Sequence, residues 1–282
     1  MDYLFQTVLL LSLLGSGLIL ILLCLKPLLT RMVPPRWRTW IWSLVLLVMI
    51  LPVYQWIPVS HPVSPLPTLP VQQVQTSPSS EAPQEEASQT EDIEKIEPEA
   101  SLPQSEPPKA PQPQRLTLVH LGYLWLAGTV TFLAFLLGSY GRFYSKLLKN
   151  SIKFSEHSLL EEIRKELGIR RHIPLRVAPG LSSPILVGIV FPVVCLPDPD
   201  LPQDYLRMVL LHELTHYKRK DLFLKWLALL VNAIHWFNPL AYLLTRSLGQ
   251  ACEDACDRDV TRNMSLQERK LYMSTILTLT QA

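Results

Sequence analysis

The stretch from Tyr3 to Leu25 is an almost uninterrupted series of Leu, Ile and Val, and it limits the fold more strictly than any other feature of the chain. A helix of that length crosses the roughly 30 Å hydrocarbon core of a bilayer. Lipid offers the backbone no hydrogen-bond partners, so a single spanning segment must satisfy its own N–H and C=O groups as a helix. A cleaved signal peptide carries positive charge before its apolar run and small residues after it. Here Asp2 precedes and Lys26-Pro27 follows, which makes the segment an anchor. Two further apolar runs, Trp40 to Ile57 and Leu116 to Tyr140, repeat the pattern. Composition agrees, with 48% hydrophobic and only 18% charged residues, the balance of a membrane protein.

Basic residues set the orientation. Lys26, Arg31, Arg36 and Arg38 separate the first two runs, and Arg142, Lys146, Lys149 and Lys153 follow the third. Positive loops stay inside, so both groups give the same topology: N-terminus outside, three spans, and the chain from about residue 141 in the cytoplasm. Trp37, Trp40, Trp42, Tyr54 and Trp56 suit the interfacial belts of the second span. The expected organisation is two transmembrane helices over 1–57, an outer loop over 58–115, a third span over 116–140, and a cytoplasmic domain over 141–282. Residues 58–115 hold about half of the 25 prolines and an acidic middle. Such a composition buries too little apolar surface to fold, which predicts a disordered loop.

A net charge of +2, with no basic stripe interleaved with aromatics, is too small to suggest direct nucleic-acid binding, and none is expected. Membrane lipid is the partner that composition implies, and the sequence carries no signal for oligomeric state. Cys24, Cys195, Cys252 and Cys256 lack C-x-x-C spacing, and the later three fall on the reducing side, so free thiols are expected.

Within 141–282, Ser155 to Leu167 reads as a surface helix with a Ser cap, stopped by Gly168. Runs at Leu175–Ala178, Pro184–Ile189 and Val193–Leu196, broken by Pro179-Gly180 and Phe191-Pro192, suggest a small antiparallel sheet. The SSPILVGI stretch (182–189) has two readings, a structural hairpin or an edge strand that aligns a substrate backbone. After Asp221 the chain is apolar over 222–248 but contains Lys225, Asn232, His235 and Asn238-Pro239. Pro239 breaks it into two membrane-associated helices. Helical patterns follow from Gln250 to Arg262 and from Leu266 to the end. The expected fold class is an α-helical membrane protein with three or more transmembrane helices. It carries a mainly helical cytoplasm-facing domain and the small antiparallel sheet.

His212-Glu213-Leu214-Thr215-His216 lies on a segment of helical periodicity. That spacing puts His212 and His216 one turn apart on one face, with Glu213 beside them. Two imidazoles suit Zn2+, and the neighbouring carboxylate suits general acid/base work on a water activated by the metal. A catalytic zinc needs a further protein ligand. Glu253 is the candidate, with Asp257 one turn on and Asp221 as competing acceptors for the outer N–H of a ligating imidazole. Cys252 and Cys256 leave open a closed structural site with the histidines, in which Glu213 has no role. His235, in the apolar segment, either stabilises the transition state at the scissile carbonyl or is a hydrogen-bonded structural residue.

Taken together, the triple-span start, H-E-L-T-H followed by KRKD, His235-Trp236-Phe237-Asn238-Pro239-Leu240, and E-D-A-C-D at 253–257 resemble the integral-membrane zinc metallopeptidases of the BlaR/MecR type. These are the β-lactam sensor-transducers of bacteria and their relatives. The resemblance covers most of the chain outside 58–115. It implies a multi-pass protein of the bacterial cytoplasmic membrane, with His212, His216 and Glu253 as zinc ligands and Glu213 as catalytic acid/base. It also implies cleavage of a cytoplasmic transcriptional repressor, or of the protein itself, in response to an outside signal. E-x-x-x-D also resembles the CAAX-type membrane proteases, which supports Asp257 behind a ligand. Sensor-transducers continue into an outer penicillin-binding domain with an S-x-x-K serine. No S-x-x-K occurs here, so β-lactam binding is not carried over; the chain is expected to be a fragment or a relative whose outer domain differs or is missing. Competing expectations are a housekeeping membrane protease of the CAAX or heat-shock type and a non-catalytic receptor braced by its metal.

The orientation yields a direct test. Cysteines introduced singly at Lys149 and at Gln89 react oppositely with an impermeant thiol reagent in intact cells, Gln89 labelling and Lys149 staying protected; equal labelling overturns the topology.

Overall fold

The computed structural model describes residues 2–52, 113–154 and 157–281. The Pro-rich loop up to residue 112, Tyr54, Trp56 and the Ser155 cap lie outside the described residues.

Among the described residues, two helices are long and apolar enough to cross a membrane: α1 (Asp2–Cys24), through its Tyr3–Cys24 stretch, and α4 (Pro113–Asn150), through Val119–Asn150. Their outward faces are apolar, with Leu13, Leu124, Phe135 and Leu137 each more than half exposed. In water such surface would carry a large penalty; in lipid it costs nothing. Between them, the first basic loop contains a short helix α2 (Lys26–Met32), entered through Pro27, and then α3 (Pro35–Ile50). The expectation of three spans meets a limit at α3. Its 16 residues rise about 24 Å, short of the ~30 Å core. Pro52 is the cause, because the residue before a proline is pushed out of the helical region: Leu51 has ψ 128°.

α3 turns Trp42, Val45, Leu46 and Met49 inward against α7 (Asp221–Ile234) and α8 (Pro239–Thr261), with Ile19 of α1 closing the cluster. Close approach uses small residues, as in packed membrane helices. A Cβ on Gly128 of α4 would come within 2.6 Å of the Trp236 ring. α7 and α8 meet at 235–238, where the Asn238-Pro239 break was expected. Asn238 caps α8 by accepting from Leu240 N–H, and its amide donates to the hydroxyls of Ser12 at 2.7 Å and Ser16 at 2.8 Å on α1. The apolar 239–248 and the acidic 250–261 form one continuous helix rather than two, since Gly249 has open space around it and no proline intervenes.

Beyond α4 come β1 (Ile152–Lys153), α5 (His157–Glu166), β2 (Leu175–Val177), β3 (Ile185–Val187), β4 (Val193–Leu196), α6 (Gln203–Arg219) and, last, α9 (Leu266–Gln281). Gly168 ends α5 at φ 71°, as its sequence implied. The sheet has the order β1-β2-β4-β3. It is mixed rather than antiparallel. β3 and β4 form an antiparallel hairpin, which returns β4 alongside β2 in parallel, Arg176 opposite Cys195. Arg176 ties the sheet to the end of α4 through Ser151 Oγ at 2.6 Å and the Leu148 carbonyl at 3.1 Å. α6 packs between the sheet, α5 and α9, burying Leu206, Val209, Leu210 and Leu214.

Asn238 therefore joins three helices by polar contacts inside an apolar bundle. Asn238→Ala is expected to lower stability by roughly 1–2 kcal/mol, read as a reduced melting temperature of the detergent-solubilised protein, with Ser16→Ala costing less because Ser12 remains.

Candidate metal centre

α6 is amphipathic about its own axis: Leu210, Leu211 and Leu214 face the core, whereas His212, Glu213 and His216 face a cleft of about 310 Å³. One turn separates the two histidines, and their rings meet edge to face with centroids 4.7 Å apart. The Nε2 atoms are 3.2 Å from each other. Glu253 of α8 brings Oε2 to 3.2 Å from His216 Nε2 and 3.7 Å from His212 Nε2.

The opposite edges of both rings are held. His216 Nδ1 donates to Asp221 Oδ2 at 2.8 Å, and Asp221 accepts in turn from Arg219 Nε at 3.0 Å. His212 Nδ1 donates to the Tyr272 hydroxyl at 2.7 Å, which donates to Asp257 Oδ1 at 2.6 Å. With both Nδ1 protonated, two Nε2 lone pairs and a carboxylate oxygen converge on one point. A cation is what such a convergence requires. Donors around a tetrahedral zinc bonded at about 2.0–2.1 Å stand about 3.3–3.4 Å apart, close to the three separations found. Zn2+ thus fits the residues present.

Cys256 offers a second grouping with the same histidines. Its Sγ, however, lies on the Nδ1 side of His212, at 3.8 Å, and its thiol donates to the His212 carbonyl at 3.5 Å. Cys252 packs into the α3–α8 cluster instead of the cleft. All four cysteines are free, as expected. His235 lies at the far end of α7 from Asp221, about 20 Å along the helix. It is buried, and its Nε2 bonds the Met49 carbonyl at 3.0 Å. The structure does not bring it to the cleft; it joins α7 to α3.

Two contributors escaped the sequence reading. Tyr272 sits on α9, sixty positions from its partner and in no motif. Lys225 donates to Glu253 Oε1 at 2.9 Å, leaving Oε2 toward the imidazoles; a lysine in an apolar run was its signal. The cleft's other wall is Ser183, Pro184, Ile185 and Leu186, so the edge strand β3 flanks the histidines.

The cluster's electrostatics follow from these contacts. Burial opposes charge on His216, but bonds to Asp221, Cys256 and Glu253 outweigh it and push its pKa up to about 11. Burial likewise opposes charge on His212, which Asp257, Cys256 and Glu253 hold protonated well above the usual imidazole range. Burial would raise Glu253, yet the two imidazoles and Lys225 keep it far below the carboxylate norm. Glu213 is raised by burial, partly offset by the histidine charges, the direction a general base needs to work near neutrality.

Fold and cleft define a helical protein with helices of membrane-crossing length and a metallopeptidase-type centre. The chain belongs to the BlaR1 peptidase M56 family, whose sequence profile matches residues 6–282. It is similar to the regulatory protein BlaR1 of Bacillus licheniformis, 32% identical over 126 residues, which are 44% of this chain and 21% of that protein. It is also similar to the methicillin resistance mecR1 proteins of Staphylococcus aureus and Staphylococcus epidermidis, each 29% identical over 111 residues, 38% of this chain and 19% of the relative. The matched stretch spans about a fifth of those relatives' length.

Two outcomes are expected for metal binding. Both histidines have folded pKa values raised above their ordinary value, so their protons are retained at neutral pH; His216 loses its own only as pH rises toward about 11. Zinc must displace those protons, so the apparent zinc affinity of metal-free protein rises steadily from pH 6 to 9 in a chelator competition. Tyr272→Phe breaks the relay from His212 to Asp257 and lowers zinc affinity about 10–100-fold in the same assay.

Proposed function

We propose that this protein is a membrane-anchored zinc endopeptidase whose cleft faces the cytoplasm. It transduces an outside signal by cleaving a cytoplasmic protein, such as a transcriptional repressor, or itself. The observation that carries the reading is the convergence of His212 Nε2, His216 Nε2 and Glu253 Oε2 beside Glu213, in a cleft walled by an edge strand. His212, His216 and Glu253 hold the metal. Asp221, and Asp257 through Tyr272, fix the two ring tautomers. A zinc ion in that position supplies Lewis acidity toward a water and toward the scissile carbonyl.

The chain's own residues do the rest. A peptide laid against β3 pairs its backbone with the open edge and presents a carbonyl to the cleft. Glu213, whose raised pKa suits proton exchange near neutrality, takes a proton from the attacking water and passes it to the departing amine. Lys225 keeps Glu253 ionised and turned toward the histidines.

Two basic segments support the cytoplasmic side. Lys26 bonds Gln250 at 2.8 Å and Arg38 pairs with Asp254 at 2.9 Å, beside Glu253; the basic end of α4 packs on the sheet through Leu147. The signalling role draws on the similarity to a regulatory protein and to methicillin resistance proteins.

The reading stands on Glu213. Glu213→Gln is expected to reduce peptide cleavage by about 10²–10⁴-fold with zinc content unchanged, whereas His212→Ala loses zinc and cleavage together. Signalling that survives Glu213→Gln but fails in His212→Ala would make the metal a brace and overturn the enzyme.

A further inference from the structure

The turn from β3 to β4 exposes Ile189, Val190 and Phe191 by 42%, 65% and 70%. Three consecutive exposed apolar side chains are foreign to a loop bathed in water. They are also held in place. Gly188, at φ 87°, tightens the turn, and its N–H donates to the Tyr140 hydroxyl at 3.0 Å. The Tyr144 hydroxyl donates to the Phe191 carbonyl at 3.2 Å, and Arg171 donates to the Val190 carbonyl. Tyr140 and Tyr144 stack at 6.0 Å on α4, at the start of its basic end. Aromatic residues followed by cations mark the membrane–water boundary of a span. The turn is therefore fastened to α4 at headgroup depth.

Charge accompanies the apolar tip. A groove of about 560 Å³ runs from Gly188 and Ile189 to Phe223, itself 54% exposed, and Arg170, Arg171, Lys218 and Lys220 line it. Among the described residues none of these cations is in an ion pair, whereas neighbouring Arg164, Arg207 and Arg219 all are. Apolar side chains that reach acyl chains, ringed by unpaired cations, match an anionic phospholipid in both parts of its chemistry. A protein partner would need to reach this face at the depth where lipid already lies.

We infer that the β3–β4 turn and its cationic groove form a lipid-binding face, seated in the leaflet at the basic end of α4 and selective for anionic phospholipid. β3 runs from this turn into the cleft, where Ile185 and Leu186 line the wall. Lipid thus fixes the strand that borders the metal centre. The inference rests on α4 crossing the bilayer and not on catalysis.

The test uses the full chain in nanodiscs with Cys24→Ser, the other cysteines being buried. Single cysteines at Phe191, Leu137 and Asp198 carry an environment-sensitive fluorophore. Acyl-chain nitroxide lipids should quench the label at 191 to an extent comparable with Leu137 on α4, while Asp198, about 20 Å along the strand, stays unquenched. Nitroxide phosphatidylglycerol should quench 191 more than nitroxide phosphatidylcholine. That excess should vanish when Arg170, Arg171, Lys218 and Lys220 become Gln, and shrink in Lys218→Gln/Lys220→Gln, which leaves the turn's own bonds intact. A water-like label at 191 beside a quenched 137 overturns the face. An apolar but unquenched label at 191 means protein covers it and overturns it equally. Equal quenching by the two lipids overturns the anionic preference, and an unquenched 137 removes the span together with the inference.

Discussion

The pair of hydrogen bonds on the two Nδ1 atoms is the constraint on which the rest of the centre depends. An imidazole free to flip or change tautomer would leave its Nε2 pointing anywhere. Asp221 at 2.8 Å and the Tyr272 hydroxyl at 2.7 Å remove that freedom, and each acceptor is itself held, Asp221 by Arg219 and Tyr272 by Asp257. These outer contacts come from four different helices, Arg219 on α6, Asp221 on α7, Asp257 on α8 and Tyr272 on α9. The centre consequently exists only when α6, the α6–α7 junction and α9 are mutually packed. Lys220, in the left-handed conformation at φ 61°, makes that junction tight enough for Asp221 to reach back to a ring five residues earlier.

Glu253 brings a second dependence. It rides on α8, whose apolar half packs on α3 and α7 and whose N-terminus is tied to α1 through Asn238. The same helix carries Gln250 and Asp254, which bind Lys26 and Arg38 of the first basic loop. A rotation or a slide of α8 by one turn, about 5.4 Å, would withdraw Glu253 while leaving both histidines in place. Events that reach α1 or α3 thus have a mechanical route to one of the three convergent donors, a property the sheet-side elements do not share.

Much of this was legible in the residues, for physical reasons that differ by element. A 3.6-residue period fixes which side chains share a face, so H-E-x-x-H and the Glu253/Asp257 pair could be set on helices without coordinates. Asp221 was legible because it lies in the same short stretch. Tyr272 was not, since a tyrosine in an ordinary amphipathic helix looks like core until tertiary packing brings it to His212. The sheet misled because runs broken by turns imply hairpins, and β2 with β4 becomes parallel only once β3 has folded onto β4. The second apolar run extends past Pro52, just before which α3 ends, so hydropathy marks a longer segment there than the described helix covers. His235 had two readings, a transition-state stabiliser or a hydrogen-bonded structural residue, because an ionisable side chain in an apolar run needs a partner; its bond to the Met49 carbonyl at the far end of α7 depends on helix length and packing.

Charge balance gives an independent reason to expect a divalent ion. The carboxylates of Glu213, Glu253, Asp221 and Asp257 gather around the histidines, and among the described residues Lys225 and Arg219 are the fixed cations that contact them. Without metal the excess negative charge is met by protons, which is why both imidazoles hold theirs so far above their usual range. Two imidazolium rings with Nε2 atoms 3.2 Å apart repel each other, so protons are a poor substitute. A divalent cation held by His212, His216 and Glu253 would remove the repulsion and leave both rings neutral.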